Sequence, residues 1–145
     1  MKKKRNTRYA LQANNHSVYL LTYHLVLVVK YRRRVITPET AAYIEQRASE
    51  IGETDQISIK EFGYEPDHIH LLFNAAPTTN IPKFINAYKA STSRNIFKNH
   101  PEIATKLWKN TFWSPSYCIT TTSGAPLEKI ERYINSQQGE AGEKR

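Results

Sequence analysis

The sequence predicts an α+β fold: a ferredoxin-like, RRM-like β-α-β-β-α-β sheet followed by one extra C-terminal helix. Three observations carry this expectation. Strand-like apolar runs alternate with helix-period segments in that order along 145 residues, a length that suits one domain with its own core. The first two helices open on capping residues, Thr37 before Pro38 and Asn80 before Ile81-Pro82. The two middle strands are joined by the turn Glu65-Pro66-Asp67, so they pair back on each other.

Residues 1–15 are polar and basic, with Lys2, Lys3, Lys4 and Arg5 together, and read as a flexible arm. Residues 16–139 form the domain, and 140–145 a polar tail. Val18 to Lys30 is β-branched and aromatic on both faces, which predicts a central first strand. Tyr31 to Arg34 then breaks into a basic cluster. Thr37-Pro38-Glu39 starts a helix that runs to about Ile51, with Gly52 ending it. Ile57 to Tyr64 is the second strand and His68 to Asn74 the third. The helix capped by Asn80 reaches about Lys98 and buries Ile81, Phe84, Ile85, Tyr88 and Thr92 along one stripe. His100-Pro101 to Trp108 is a less regular connection. Phe112 to Thr122 reads as the fourth strand, with Pro115 marking an edge. Ser123-Gly124-Ala125-Pro126 opens the last helix, which ends near Gln138-Gly139. Trp108 and Trp113 read as core or interface, and His24 as core or as a neighbour of the histidine pair, core being favoured.

Composition narrows the function. A formal charge of +8 and a pI near 9.6 favour a polyanionic partner. No apolar run is long enough to span a bilayer, since Leu20 to Val29 is interrupted by Thr22, Tyr23 and His24. Cys118 is the sole cysteine, so no internal disulfide is available, and a cytoplasmic protein is the simplest reading.

The chemistry-bearing stretch is Asp67-His68-Ile69-His70-Leu71. Strand side chains alternate, so His68 and His70 share a face and Ile69 takes the other. Two imidazoles on a rigid sheet make a half-site for a divalent metal; the plain alternative is a pair of hydrogen-bonded sheet histidines. Tyr133 and Gln137 lie four apart on the last helix and also share a face, beside its stripe of Leu127, Ile130 and Ile134. The amide oxygen of Gln137 can complete a metal site built on two histidines. A phenol is a weak nucleophile at its free pKa of about 10, and gains from a metal that neutralises the attacked phosphate. The set points to metal-assisted attack of tyrosine on a phosphodiester, with magnesium or manganese in a mixed nitrogen and oxygen site. Asp67 would point to the opposite face if the strand already included it.

Pro66-Asp67-His68-Ile69-His70-Leu71-Leu72 resembles the HUH motif (histidine, bulky hydrophobe, histidine) of single-tyrosine transposases, the small TnpA-type enzymes of compact insertion sequences. Tyr23-His24-Leu25-Val26 through Tyr31-Arg32 resembles their first strand. Leu107-Trp108 and Trp113-Ser114-Pro115-Ser116-Tyr117 resemble the stretch before their last strand. Tyr133-Ile134-Asn135-Ser136-Gln137 is similar to their nucleophile helix. The likeness covers Tyr19 to Gln138. It implies a transposase that cuts and rejoins single-stranded DNA at hairpin-marked ends, through a 5′-phosphotyrosine and a free 3′-hydroxyl. By this resemblance Tyr133 is the nucleophile and His68, His70 and Gln137 are metal ligands. No nucleotide cofactor is implied. The resemblance also implies a homodimer in which the tyrosine helix of one subunit can serve the histidines of the other; Gly124 and the polar run Thr120 to Ser123 would let that helix swing.

Candidate phosphate contacts are Lys30, Arg32, Arg33 and Arg34 after the first strand, and Lys83, Arg94 and Lys98 along the second helix. Two alternatives stay open: a domesticated transposase-like protein that processes hairpins, and a non-catalytic nucleic-acid-binding module. A zinc hydrolase is weaker, because the only carboxylate beside the histidines is Asp67.

Overall fold

Alternation along one strand decides which side of the sheet becomes core. In β3 (Leu21–Val28) and the residue after it, Leu25, Leu27 and Val29 face one way and Val26 and Val28 the other, and all five are buried. A strand apolar on both faces must be covered twice. Helices α1 (Pro38–Thr54) and α2 (Ile81–Asn99) cover the first face; residues 131–137, also helical, cover Val26 and Val28 with Tyr133 and Ile134. The structure, a computed structural model, describes residues 11–13, 18–107, 111–121 and 131–137.

The sheet is antiparallel, in the order β4 (Ser58–Glu65), β5 (His68–Ala75), β3, β6 (Cys118–Thr121). That is the ferredoxin-like order expected, and it places the histidine strand centrally beside β3. A short helix, α3 (Pro101–Ala104), follows α2. Both long helices start as the sequence indicates: the Thr37 hydroxyl accepts from Thr40 N at 3.2 Å, and the Asn80 side chain from Lys83 N at 3.1 Å. Among the described residues, no helix is long and apolar enough to cross a membrane.

Several boundaries move. The first predicted strand is split: β2 (Val18–Tyr19) pairs with β1 (Gln12–Ala13) in a small hairpin of its own, so part of the expected arm is structured; residues 1–10 lie outside the described residues. Helix α1 passes through Gly52 to Thr54. Gly52 is there for close approach rather than termination, since a Cβ on it would sit 3.1 Å from Ile57 Cγ2. The reversal falls on Gln56, at φ 59°. The fourth strand shrinks from Phe112–Thr122 to Cys118–Thr121 because Phe112 and Trp113 are drawn into the core, and Pro115 has no N–H to pair. Trp113 makes an isolated bridge to Val29, and its indole donates to Thr92 Oγ1 at 2.9 Å. It is core, as one of the two expected readings had it; Trp108 lies outside the described residues.

Phe84 centres the core, between Phe73 and Tyr88 with ring centroids 5.5 and 5.8 Å away, and is fully buried. Phe84→Ala should cost about 3–5 kcal/mol, from lost burial and the cavity left behind. Denaturant melts would show the loss; a shift under about 1 kcal/mol would mean that this cluster does not anchor the fold.

Candidate active site

Strand β5 puts Ile69, Leu71 and Phe73 into the core and leaves His68 and His70 on the opposite face, half-buried. Their same-face geometry is what alternation predicts. Register fixes the neighbours: His70 lies across from Val26 on β3 and Gly63 on β4, and His68 across from Val28 and Glu65. His24 lies two residues before Val26 and shares this face. Its ring meets that of His70 edge to face, with centroids 5.6 Å apart. His24 is therefore a wall of the site, the less favoured of its two expected readings, and not a core residue. A cavity of about 510 Å³ opens here, lined by His24, Arg32, Glu65, His68 and His70 from the sheet side, and by Glu131, Ile134 and Asn135 from the helix above.

Each histidine is held by a different device. His70 lies over Gly63, where any Cβ would collide with the imidazole. This is a glycine required by close approach of a ring. For His68 the partner is Asp67, which lies in the Pro66–Asp67 turn ahead of β5, so strand alternation does not govern it. Its carboxylate Oδ1 sits 2.8 Å from His68 Nδ1, and Oδ2 accepts from Arg32 Nε at 2.7 Å. Burial alone would raise this carboxyl, but the bonds from Arg32 and His68 outweigh burial and hold it below the usual range. The other arm of Arg32 donates from Nη1 to Asn135 Oδ1 at 3.0 Å, tying the sheet to the helix above.

Aiming Arg32 inward takes an unusual backbone. Tyr31 and Arg32 both have positive φ, 60° and 58°, in the 3-10 turn Lys30–Arg32. For non-glycine residues such a conformation costs on the order of 1 kcal/mol or more each. Of the expected phosphate contacts, Arg32 is thus turned into the cavity. Arg33 and Arg34 are exposed and line a shallow pocket with Lys106, while exposed Arg94 and Lys98 flank another with Phe97. Lys30 is half-buried, and Lys83 is exposed on the first turn of α2.

Tyr133 and Gln137 share a face of the helical segment as expected, but that face meets the chain ahead of β6. The Tyr133 hydroxyl pairs with Ser116 Oγ at 2.7 Å, and Ser114 Oγ donates to Gln137 Oε1 at 2.5 Å. Burial raises the Tyr133 phenol, partly offset by the Ser116 bond. Lys89 of α2 braces the chain between these serines: its Nζ donates to the carbonyls of Ser114 and Pro115 at 3.0 and 3.1 Å. The structure brings the helix bearing Tyr133 and Gln137 over the histidine face, yet presents Glu131, Ile134 and Asn135 to the cavity. At 100° per residue, the tyrosine face is roughly a third of a turn away. Residues 122–130, with the expected hinge at Gly124, lie outside the described residues. No three His, Cys, Asp or Glu side chains among the described residues are grouped as a cation cage. Two imidazoles, one oriented through its Nδ1, still match a divalent cation that takes a third donor from another residue type.

Burial holds His24 and His70 below the ordinary imidazole value of 6.5, with neighbouring His24 and His68 adding to the effect at His70. The unfolded chain therefore binds protons that the folded chain refuses. Their contribution to stability is full above pH 6.5 and declines as pH falls through that value towards the folded ones. Thermal melts in chelator should show Tm dropping as pH goes from 7.5 to 5.5, and less steeply in His24→Gln. A flat profile would contradict this burial.

Comparison with known proteins places these features. A family described as "Transposase IS200 like" matches residues 17–137. The ISDra2 transposase TnpA of Deinococcus radiodurans is 38% identical over 120 residues, covering 83% of this chain and 86% of that protein. The transposase of insertion sequence element IS200 from Salmonella typhimurium is 26% identical over 122 residues, covering 84% and 80%. A crystal structure of a Deinococcus radiodurans R1 protein, described as a transposase, superposes at TM-score 0.79 with 32% identity, over 87% of this chain and 97% of the other. A REP-associated tyrosine transposase bound to a REP hairpin shares the fold, at TM-score 0.53 and 10% identity, over 84% and 68%. With the family match spanning most of its length, this chain belongs to the IS200-like transposases.

Proposed function

We propose that this transposase cuts and rejoins single-stranded DNA at hairpin-marked element ends through a 5′-phosphotyrosine on Tyr133. The observation that carries the reading is a helix bearing Tyr133 and Gln137, packed over the sheet face that holds His68 and His70. The Tyr133 oxygen attacks phosphorus and gives up its proton. The bond from phosphorus to the 3′ oxygen breaks, and that oxygen leaves as a 3′-hydroxyl. The 5′ end stays on the protein as a tyrosine phosphodiester. One phosphodiester replaces another, so a 3′-hydroxyl can reverse the attack and rejoin strands with no nucleotide cofactor.

His68 and His70 would hold magnesium or manganese, with the Gln137 amide oxygen as third protein donor. A cation bound there neutralises charge on the attacked phosphate. Asp67 keeps His68 in place, and Gly63 leaves room for the His70 ring. Tyr133 and Gln137 reach the histidines by a swing of their helix or from a second copy in a homodimer. The docked position on Ser114 and Ser116 is then a resting one. Arg33, Arg34, Lys83, Arg94 and Lys98 contact DNA phosphates without reading bases. The hairpin held by the REP-associated relative and the +8 charge support a folded single strand as partner.

The test is incubation with a library of hairpin-bearing single strands and manganese, followed by denaturing capture and sequencing of protein-linked ends. Adducts with a fixed 5′ end beside a hairpin are expected, and none in chelator. Binding without any adduct would favour the non-catalytic module.

A further inference from the structure

Beyond the transposase reading, one carboxylate has a geometry that calls for a role. Asp67 is almost wholly buried, yet it spends both oxygens on side chains, Oδ1 on His68 Nδ1 at 2.8 Å and Oδ2 on Arg32 Nε at 2.7 Å. The backbone around it is also committed: the Asp67 carbonyl accepts from Val29 N at 2.9 Å, and that of Pro66 from Ile36 N at 2.9 Å. The guanidinium reaches it from a turn in which Tyr31 and Arg32 both take left-handed conformations. We propose that Asp67, clamped by Arg32, is the positioning residue that fixes the tautomer and ring orientation of His68, so that Nε2 carries the lone pair offered to the cavity. The inference rests on the metal-assisted reading of the site.

The logic is one of donors and acceptors. An ion-paired carboxylate accepts only, so His68 Nδ1 must carry the hydrogen. A neutral imidazole has one N–H, so Nε2 is left as the acceptor, the nitrogen able to bind a cation. This resembles the outer partners that metal-ligating histidines commonly have. Arg32 adds a constraint, because with its guanidinium on one side the carboxylate has no freedom to rotate away. Its second bond, to Asn135, joins the same clamp to the helix that carries Tyr133.

Asp67→Asn separates this role from simple packing. The amide has the same shape and keeps the site filled. Arg32 is a donor, so it takes the amide oxygen and turns the NH2 towards His68. Nδ1 must then accept, the hydrogen moves to Nε2, and the lone pair faces the wrong way. Two readouts are needed. Long-range nitrogen-15 correlation spectra of the metal-free protein report which His68 nitrogen is protonated. Calorimetric titration with manganese reports affinity. The expected result is Nδ1–H in the unaltered chain and Nε2–H in Asp67→Asn. Manganese binding should weaken roughly ten- to hundredfold, measured at a temperature well below the Tm of the variant, which loses the Arg32 ion pair and melts lower. An Nε2–H tautomer in the unaltered chain would overturn the proposal even if the variant failed to fold. So would an Asn variant with the original tautomer and affinity. If the unaltered chain bound no manganese at all, the metal-assisted reading would fall, while the tautomer spectra would still decide what Asp67 does.

Discussion

Tyr133→Phe is expected to abolish the covalent DNA adduct, a loss on the order of 10³-fold or more, with hairpin binding within about twofold of the unaltered chain. Removing a nucleophile eliminates the reaction rather than slowing it. The ring stays, so the packing of Tyr133 on Val26 and Val28 should survive, and only the Ser116 hydrogen bond is lost. That bond is exposed and worth about 1 kcal/mol at most, too little to unfold the chain. Gel analysis of denatured reactions checks the outcome. An adduct that persisted in Tyr133→Phe would move the chemistry to another residue. A phenol is a poor nucleophile at neutral pH without help from nearby positive charge, because its ordinary pKa is about 10. Adduct formation should therefore depend steeply on the cation.

His68→Ala should have the second large effect: cleavage falls by about 10³-fold while hairpin affinity changes little. A metal at a phosphate contributes several kcal/mol of transition-state stabilisation, which sets this scale. The imidazole is half-buried on a face that opens to a cavity, so truncation enlarges space that water can enter and the sheet tolerates it. Electrophoretic shift and cleavage assays on the same hairpin separate the two properties. Loss of binding and cleavage together, with a lowered Tm, would make His68 structural. The Ala variant also leaves Asp67 without one hydrogen-bond partner, although Arg32 still neutralises it.

What could be read from the sequence is what depends on local period. His68 and His70 share a face because strands repeat every two residues, and Tyr133 and Gln137 share one because helices nearly repeat every four. Thr37 and Asn80 cap because their side-chain oxygens meet the first free N–H groups. Long-range register was not legible. His24 is an apolar-strand histidine until pairing sets Val26 across from His70, which brings His24 beside it. Gly63 reads as an ordinary strand glycine until the same pairing lays an imidazole over it. Asp67 lies in the turn that the sequence indicates, where strand alternation has no force, so its contact with His68 could not be read from period. The fourth strand was overextended because Phe112 and Trp113 are as suited to a core as to a sheet. Nor does a shared helical face say where that face looks; only the Ser114 and Ser116 contacts reveal that Tyr133 and Gln137 look away from the cavity.

Val26 and Val28 are 2% and 0% exposed, and the cover on that side includes Tyr133 and Ile134. A helix that departed alone would wet two valines of the central strand, at a cost of very roughly 1–3 kcal/mol for each side chain laid bare. Its departure becomes easy only when another greasy segment arrives to fill the gap. In the homodimer proposed above, two chains that traded helices would meet that condition at both ends, since each would supply what the other had given up. The same pair of valines that completes the fold thereby sets a penalty on any unaccompanied opening of this face.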